Sequence, residues 1–370
     1  MTTTPFSSLG VSKEQLQTLD QLKFTDATPV QAKALPLLIQ KPQDIIVQAQ
    51  TGTGKTAAFT IPLLHHIIHD QKNPQGLILV PTRELAIQVQ QEILKLKGNS
   101  PIKSCSIYGG QNIGIQIKKL KKGVHIVVGT PGRIIDHLQR KTLNLTNIST
   151  LVLDEADEML NMGFIEPIET ILSATNSEKN TLLFSATMPK KIQELAKKYM
   201  HKPSHINIPA AESTLNNIDQ QYYCSKSAVK NIILCKIIEK TANFHGIVFC
   251  ETKRGADDLF TQLHKKSITA DVIHGDIHQR KRERVTTRFK AKQFQVLIAT
   301  DVAARGVHVD NLTHVINYNL PKNPDIYTHR IGRTGRAGNK GIAISLITPA
   351  QQGALKFIAK KTKSEIKRAD

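Results

Sequence analysis

Asp44-Ile45-Ile46-Val47-Gln48-Ala49-Gln50-Thr51-Gly52-Thr53-Gly54-Lys55-Thr56 decides the fold. The β-branched run Ile45-Ile46-Val47 is too short for a helix and runs into turn chemistry, so it reads as a buried strand. Thr and Gly then alternate, and a helical pattern opens at Lys55. A strand, a glycine-rich turn and a helix in that order aim backbone N–H groups and a helix N-terminus at an anion. Gly52 and Gly54 let the backbone curl, Lys55 reaches β/γ-phosphates, and the Thr56 hydroxyl suits magnesium. Gln50, Thr51 and Thr53 complete the loop that would line a nucleotide. The strict phosphate-loop pattern has Gly where this chain has Ala49, so an ordinary glycine-rich turn is the competing reading of this segment.

Outward from this segment, short β-branched runs recur at Asp44–Gln48, Gly76–Val80, Lys103–Tyr108, His125–Gly129, Thr150–Asp154 and Thr181–Ser185, separated by helical patterns. That alternation predicts a wound parallel sheet. Pro209 to Asn217 is small and polar and reads as a linker. The rhythm then restarts with Gln220–Cys224, Gly246–Cys250, Ala270–His274, Phe294–Thr300, His314–Asn319 and Gly341–Ile347. The expected organisation is a first domain over 1–208, a linker over 209–217 and a second domain over 218–370. Residues Phe357 to Asp370 read as a last helix with a basic end.

The chain has 370 residues, 40% hydrophobic and 22% charged, enough for two cores and too apolar for disorder. Its net charge of +20 favours a polyanionic partner, nucleic acid first. Both halves are basic, with 23 basic against 16 acidic residues up to residue 210 and 27 against 14 after it. A shared groove therefore fits better than a tail, although Arg280-Lys281-Arg282-Glu283-Arg284 taken alone reads as a solvated helix face. Aromatics are 5% and Trp is absent, which disfavours a sequence-reading binder built on stacking platforms. No apolar run approaches the ~18 residues of a membrane span, and Met1 to Leu16 carries no secretory pattern, so a cytoplasmic protein without membrane partners is expected. Cys105, Cys224, Cys235 and Cys250 form no C-x-x-C pair and read as reduced thiols. His65, His66 and His69 place two imidazoles at i, i+4 but lack a third ligand, and Met162 and Met188 read as packing residues.

A partner for the phosphate loop lies at Leu151-Val152-Leu153-Asp154-Glu155-Ala156-Asp157, an apolar strand ending in carboxylates. Asp154 would hold magnesium and Glu155 would orient and deprotonate the attacking water; the plainer reading is an acidic helix start. Asp154-Glu155-Ala156-Asp157 after this loop resembles the DEAD-box family of RNA helicases, and further signature elements follow in family order. In the first half these are Thr28-Pro29-Val30-Gln31, Pro81-Thr82-Arg83-Glu84-Leu85-Ala86, Gly109-Gly110, Thr130-Pro131-Gly132-Arg133 and Ser185-Ala186-Thr187. The second half adds Val248-Phe249-Cys250 with Thr252, Gln279 with Arg282, Ala299-Thr300-Asp301-Val302-Ala303-Ala304-Arg305-Gly306 and His329-Arg330-Ile331-Gly332-Arg333-Thr334-Gly335-Arg336. The likeness spans nearly the whole chain and most resembles bacterial members of the RhlE type; members of the family often continue into a longer basic tail.

The resemblance implies an α/β fold of two tandem RecA-like domains, each a mostly parallel sheet with helices on both faces. It implies RNA-stimulated hydrolysis of ATP with magnesium, coupled to local, sequence-independent unwinding of short RNA duplexes or remodelling of RNA–protein complexes. Thr28 and Gln31 would belong to the adenine site, with Gln31 reading the base edge and Phe6 packing on the ring. Arg333 and Arg336 would act as arginine fingers, beside Lys55, Asp154 and Glu155 as the other catalytic groups. Asp157, Ser185 and Thr187 would couple hydrolysis to RNA through hydroxyl hydrogen bonds. RNA contacts carried over are Pro81, Thr82, Arg83, Gly109, Gly110, Thr130, Gly132 and Arg133, then Thr252, Arg282 and Thr300. Such contacts to phosphates position a strand without reading its sequence. Proteins of ribosome assembly or RNA decay are the partner candidates besides RNA.

The chain departs from the family at His308, where most members carry an Asp that contacts the ribose. Lys23 and Ala27 replace a common Gly and Pro, and Asn319 a frequent Asp. Two other functions stay open at the level of sequence: an RNA clamp whose ATP only controls residence, and a DNA-directed motor, which the charge and phosphate loop alone would serve equally well.

Overall fold

Seven strands, β1 (Ile45–Gln48), β2 (Gly76–Leu79), β3 (Ser104–Ile107), β4 (Ile126–Gly129), β5 (Thr150–Leu153), β6 (Asn180–Ser185) and β7 (Ser204–Asn207), form one sheet. Their order is β3-β4-β2-β5-β6-β1-β7, and every pairing is parallel. The computed structural model describes residues 4–50, 52–208, 217–304, 312–335 and 340–369. The chain divides into two units, Met1–Ala210 and Ala211–Asp370, and of the expected linker only Asn217 falls among the described residues.

Both faces of this sheet are covered, which is why its strands are continuous apolar runs. Successive residues alternate between two cores: Val47, Ile78, Val128, Val152 and Phe184 pack on one face. Ile46, Leu77, Leu79, Val127, Leu151 and Leu183 pack on the other. Local chemistry starts the connecting helices on time. Thr82 Oγ1 accepts the Leu85 N–H (3.2 Å) to cap helix Arg83–Leu96, and Pro131 opens helix Pro131–Gln139 at the position where a missing N–H does no harm.

The second unit carries β8 (Ile218–Cys224), β9 (Gly246–Cys250), β10 (Ala270–Ile273), β11 (Val296–Thr300), β12 (His314–Asn317), β13 (Gly341–Ile347) and β14 (Lys367–Arg368). Their order is β10-β11-β9-β12-β13-β8-β14, again parallel throughout. This is the first sheet's order with seven added to each strand number. Even a cap recurs: Thr252 Oγ1 accepts the Gly255 N–H (3.0 Å) after β9, as Thr82 does after β2.

Three features differ from the sequence reading. The last helix, Gln352–Thr362, stops where Lys363 adopts φ 51°, and Lys367–Arg368, expected in a helix, instead pair with β8 at the sheet edge. Likewise β7 has no apolar run to announce it; Asp44 fixes its approach by accepting the Thr181 N–H (2.6 Å) and the His201 N–H (2.5 Å). The helix after the phosphate loop, Lys55–His66, ends as Ile67 turns extended, so His65 and His69 do not share a helical face. His66 Nε2 instead meets the Leu38 carbonyl at 2.8 Å.

Candidate functional site

In an all-parallel sheet every strand delivers its C-terminal end to one edge, and open α/β sheets bind ligands there. The first unit's order divides that edge in two. Strands β5, β6 and β1 are neighbours and release Asp154-Glu155-Ala156-Asp157, Ser185-Ala186-Thr187 and the phosphate loop. Strands β3, β4 and β2 are the other group and release Gly109-Gly110, Thr130 to Arg133, and Pro81 to Arg83. Nucleotide candidates and RNA candidates thus occupy separate halves of one edge.

On the nucleotide half, Gly52 and Gly54 take φ 83° and 89°, the left-handed region that glycine enters without strain. Lys55 is buried and donates its Nζ to the Ala49 carbonyl at 2.9 Å, so the ammonium is folded into the loop itself. Thr53 Oγ1 donates to the Gln50 carbonyl at 2.8 Å, and Thr56 stands half-buried in the first helical turn. Thr51 lies outside the described residues. The adenine candidates touch this loop directly: Gln31 Nε2 donates to the Gly54 carbonyl (3.1 Å), and its Oε1 accepts the Thr28 N–H (2.9 Å). One amide N–H and one oxygen lone pair of Gln31 remain for a base edge. Thr4–Pro5 pairs antiparallel with Asp26–Ala27, which brings Phe6 beside this motif; its ring is buried in the first core. Lys23, in place of the family's Gly, takes φ 60° on the exposed turn before it.

The carboxylates follow β5. Asp154, 3% exposed, accepts the Glu155 N–H at 3.0 Å; burial pushes its pKa up, and the Lys55 ammonium is the first influence opposing that. Glu155 has φ 53° and ψ 51°. Among the described non-glycine residues with positive φ it is the buried one, at 7% exposure; Lys23, Lys141, Lys202, Asn243, Ser267, Lys292 and Lys363 are exposed. Left-handed backbone at a buried acidic residue is strain that the surrounding structure holds in place, a pattern concentrated at active sites. Asp157 Oδ2 accepts both the Thr187 N–H (2.8 Å) and the Thr187 hydroxyl (2.9 Å). The Ser185 hydroxyl bonds elsewhere: it accepts the Asp157 N–H (3.2 Å) and donates to the Thr187 carbonyl (2.7 Å). These three coupling candidates are therefore one bonded cluster joining β5 to β6. Hard oxygen donors at Thr56 and Asp154 fit magnesium, which prefers carboxylate, hydroxyl and water over softer ligands.

On the other half, a Cβ built on Gly109 would sit 3.2 Å from Arg83 Nη2, so the second and first RNA loops are in contact. Gly110 takes φ 84°, and Gly132 is exposed with open space where a side chain would be. Arg133 Nη1 donates to the Gln111 carbonyl (3.2 Å), which ties the loop after β4 to the loop after β3. Thr130 and Thr82 are buried helix caps, and Pro81 is buried beside the latter.

In the second unit Thr252 and Arg282 follow β9 and β10, and Thr300 ends β11, the counterparts of the three RNA strands in the first. Arg282 is buried and its Nη2 reaches the Ala303 carbonyl at 3.4 Å. Arg333 follows helix Pro324–Ile331 and is buried; Arg336 and His308 lie outside the described residues. Sequence reasoning did not single out Arg330, whose Nε and Nη2 grip both Asp301 oxygens (2.6 and 2.8 Å) while Nη1 holds Asn317 Oδ1 (3.0 Å) and the Asn319 carbonyl (2.7 Å). Both residues lie in quoted motifs, but 29 positions separate them and no local periodicity connects them. Asn319, in place of a frequent Asp, keeps a structural bond through Oδ1 to the Glu251 N–H (3.1 Å). Among the described residues no cluster of three or more His, Cys, Asp or Glu could hold a metal, and no helix is long and apolar enough to cross a membrane.

Two tandem parallel sheets of one topology, the first with a phosphate loop and paired carboxylates, define two RecA-like domains with an ATPase edge. The DEAD/DEAH box helicase model matches residues 28–195, and the helicase conserved C-terminal domain model matches residues 229–338. The chain is 49% identical over 367 residues to the DEAD-box ATP-dependent RNA helicase CshA of Bacillus cereus, covering 99% of this chain and 70% of that protein. Among solved structures, Saccharomyces cerevisiae Dbp5 bound to RNA and ADP BeF3 is 32% identical, covers 99% of this chain and 95% of its own, and has a TM-score of 0.90. Mss116p bound to ssRNA and AMP-PNP is 30% identical, with 100% and 80% coverage and a TM-score of 0.88. The chain belongs to the DEAD-box family of ATP-dependent RNA helicases. The RhlE-like subtype expected from the sequence is a finer assignment than these matches make.

Proposed function

We propose that this protein hydrolyses ATP to ADP and phosphate when RNA binds, and uses the cycle for local, sequence-independent unwinding of short RNA duplexes or remodelling of RNA–protein complexes. The observation that carries the reading is the shared edge of the first sheet, where a buried Asp154-Glu155 pair and the phosphate loop occupy one half and the RNA candidates the other.

In this mechanism Lys55 exchanges the Ala49 carbonyl for the β/γ-phosphates, and Gln31 offers its remaining donor and acceptor to adenine beside Phe6 and Thr28. Thr56 and Asp154 would hold magnesium, which when bound would neutralise charge on the phosphates. Glu155, fixed at the start of its helix, orients the attacking water and takes its proton. Arg333 and Arg336 supply planar cations to the transferring phosphoryl group. The Asp157–Thr187 bonds relay RNA binding to the carboxylates. Protein partners in ribosome assembly or RNA decay, and a cytoplasmic location where ATP and RNA are both available, belong to the same proposal. The four cysteines are free, as a reducing compartment keeps them; burial pushes the Cys105 and Cys250 thiols up to about 12.

Steady-state ATP hydrolysis tests the reading, measured without nucleic acid, with single-stranded RNA, with the matching DNA, and with Glu155→Gln. Stimulation by RNA alone, reduced on the order of 100-fold or more in the variant, is the expected result. Stimulation by DNA in preference to RNA would identify a DNA-directed motor, since the 2′-hydroxyl is the available discriminator. RNA binding that ATP prolongs without appreciable hydrolysis by the unaltered chain would identify a clamp.

A further inference from the structure

Gln116 lies in helix Ile113–Lys121 and is 1% exposed. Its Nε2 donates to the Tyr108 carbonyl (2.9 Å) and to Gln111 Oε1 (3.0 Å), the residues on either side of Gly109-Gly110. Its Oε1 faces Arg133 Nη1 (3.3 Å) and His137 Nε2 (3.0 Å), both on helix Pro131–Gln139. A backbone carbonyl only accepts and a guanidinium only donates, so the amide can face just one way. All four of its hydrogen-bonding positions are then filled. His137, fully buried, must carry its proton on Nε2 to meet that oxygen, which leaves Nδ1 to accept from the Thr142 hydroxyl at 2.8 Å. One neutral amide thus fastens the loop after β3 to the helix after β4, and Arg133 adds its own bond to the Gln111 carbonyl. Gly109 in turn abuts Arg83. Two RNA-candidate loops therefore share a single buried polar node, with Arg83 of the third lying against one of them, and the hydrogen bonds of its central residues Gln116 and His137 go to none of the nucleotide candidates on the other half of the edge.

We propose that Gln116 and His137 are positioning residues for RNA. They set the spacing between Gly109-Gly110 and Thr130–Arg133 so that successive phosphates of a single strand meet prearranged N–H and guanidinium donors. The inference rests on the proposed RNA-binding role of those loops. A phosphate contact depends steeply on donor placement, so a node that holds two loops in register acts on affinity without touching the ligand. Its effect falls on RNA and spares ATP, because Lys55, Asp154 and Glu155 emerge from other strands.

The test uses the full chain and four variants: Gln116→Leu, Gln116→Glu, His137→Leu and His137→Gln. Leu at either position removes every bond at similar volume, Glu at 116 keeps the acceptor and loses both donors, and Gln at 137 restores a donor near the Nε2 position. Binding of a fluorescein-labelled single-stranded RNA is read by anisotropy with AMP-PNP present, beside the KM for ATP without RNA and the melting temperature. The expected result is a loss of RNA affinity of about tenfold or more in both Leu variants and in Gln116→Glu, recovery to within threefold in His137→Gln, and a KM for ATP within twofold of the original throughout. RNA affinity within twofold in all four variants overturns the proposal, as does a parallel loss of RNA affinity and ATP affinity that follows the melting temperature. If a Leu variant does not fold, His137→Gln against Gln116→Glu still decides, since the two must differ in RNA affinity. Failure of the unaltered chain to bind RNA would overturn the proposed function and this inference together, whereas normal binding by the unaltered chain with indifferent variants overturns this inference alone.

Discussion

Gly54 shows how closely two motifs 23 residues apart depend on each other. It takes φ 89°, and a Cβ there would lie 2.6 Å from Gln31 Nε2 and 2.8 Å from Thr28 Oγ1. Gly54→Ala therefore combines about 1–2 kcal/mol of left-handed strain with displacement of the Gln31 amide from the Gly54 carbonyl. The expected outcome is a KM for ATP raised about tenfold or more with the fold retained, measured by hydrolysis at saturating RNA and by melting temperature. The identities of these residues were legible because glycines, a lysine and a threonine at fixed spacing have one economical use. Their mutual packing was not, since the antiparallel pairing of Thr4–Pro5 with Asp26–Ala27 that sets Phe6 beside the motif is two residues long and carries no periodicity. The Gln116 node was hidden for a related reason: a glutamine in an amphipathic basic helix looks like a solvated residue until the next helix covers it.

At the scale of elements, the strands that could be read in advance are those buried on both faces. Gly246–Cys250 and Gly341–Ile347 fall where the sequence put them because apolar runs bounded by turn residues leave little freedom. Of the four edge strands β3 and β10 could be read, but β7 and β14 could not, because Ser204–Asn207 and Lys367–Arg368 are mostly exposed and their pairing is decided by neighbours. Strand β12 opens with His314, which is buried and stacked on Phe244 at 4.8 Å; burial lowers its pKa from 6.5 to about 4. The unfolded chain then binds a proton between pH 6.5 and 4 that the folded chain refuses, so stability is full above pH 6.5 and falls as the pH drops towards 4. The loss reaches up to about 3 kcal/mol from this residue. His245, whose pKa burial also lowers, adds to the same trend. Denaturant unfolding of the full chain at pH 7 and pH 4.5 should show the midpoint falling, and His314→Phe, which keeps the ring and removes the titration, should make it fall less.

For the whole molecule, the net charge of +20 is spread over both units and is not concentrated in a tail. If about six phosphates are neutralised, the logarithm of RNA affinity should fall with the logarithm of salt at a slope of roughly −4 for single strands. Titration of labelled RNA between 50 and 300 mM potassium chloride, roughly the range in which such slopes are read, checks this; a flat response would contradict binding through the backbone. The same measurement on Thr252→Ala should leave the slope nearly unchanged, because that hydroxyl carries no charge and serves as a helix cap.

The two sheets share one order of seven parallel strands, offset by seven. Two stretches of chain with no obvious residue-level repeat are therefore wound in the same way. The strands corresponding to β1 and β5 in the second unit are β8 and β12, and they release Ser225-Lys226-Ser227 and Tyr318-Asn319 in place of a phosphate loop and an acidic pair. The second unit's equivalent positions thus carry no phosphate loop or acidic pair, while threonine caps follow both β2 and β9. The two halves thus share a scaffold and differ in their outfit: under the proposed function the first houses the nucleotide and the second contributes only its arginines to the reaction.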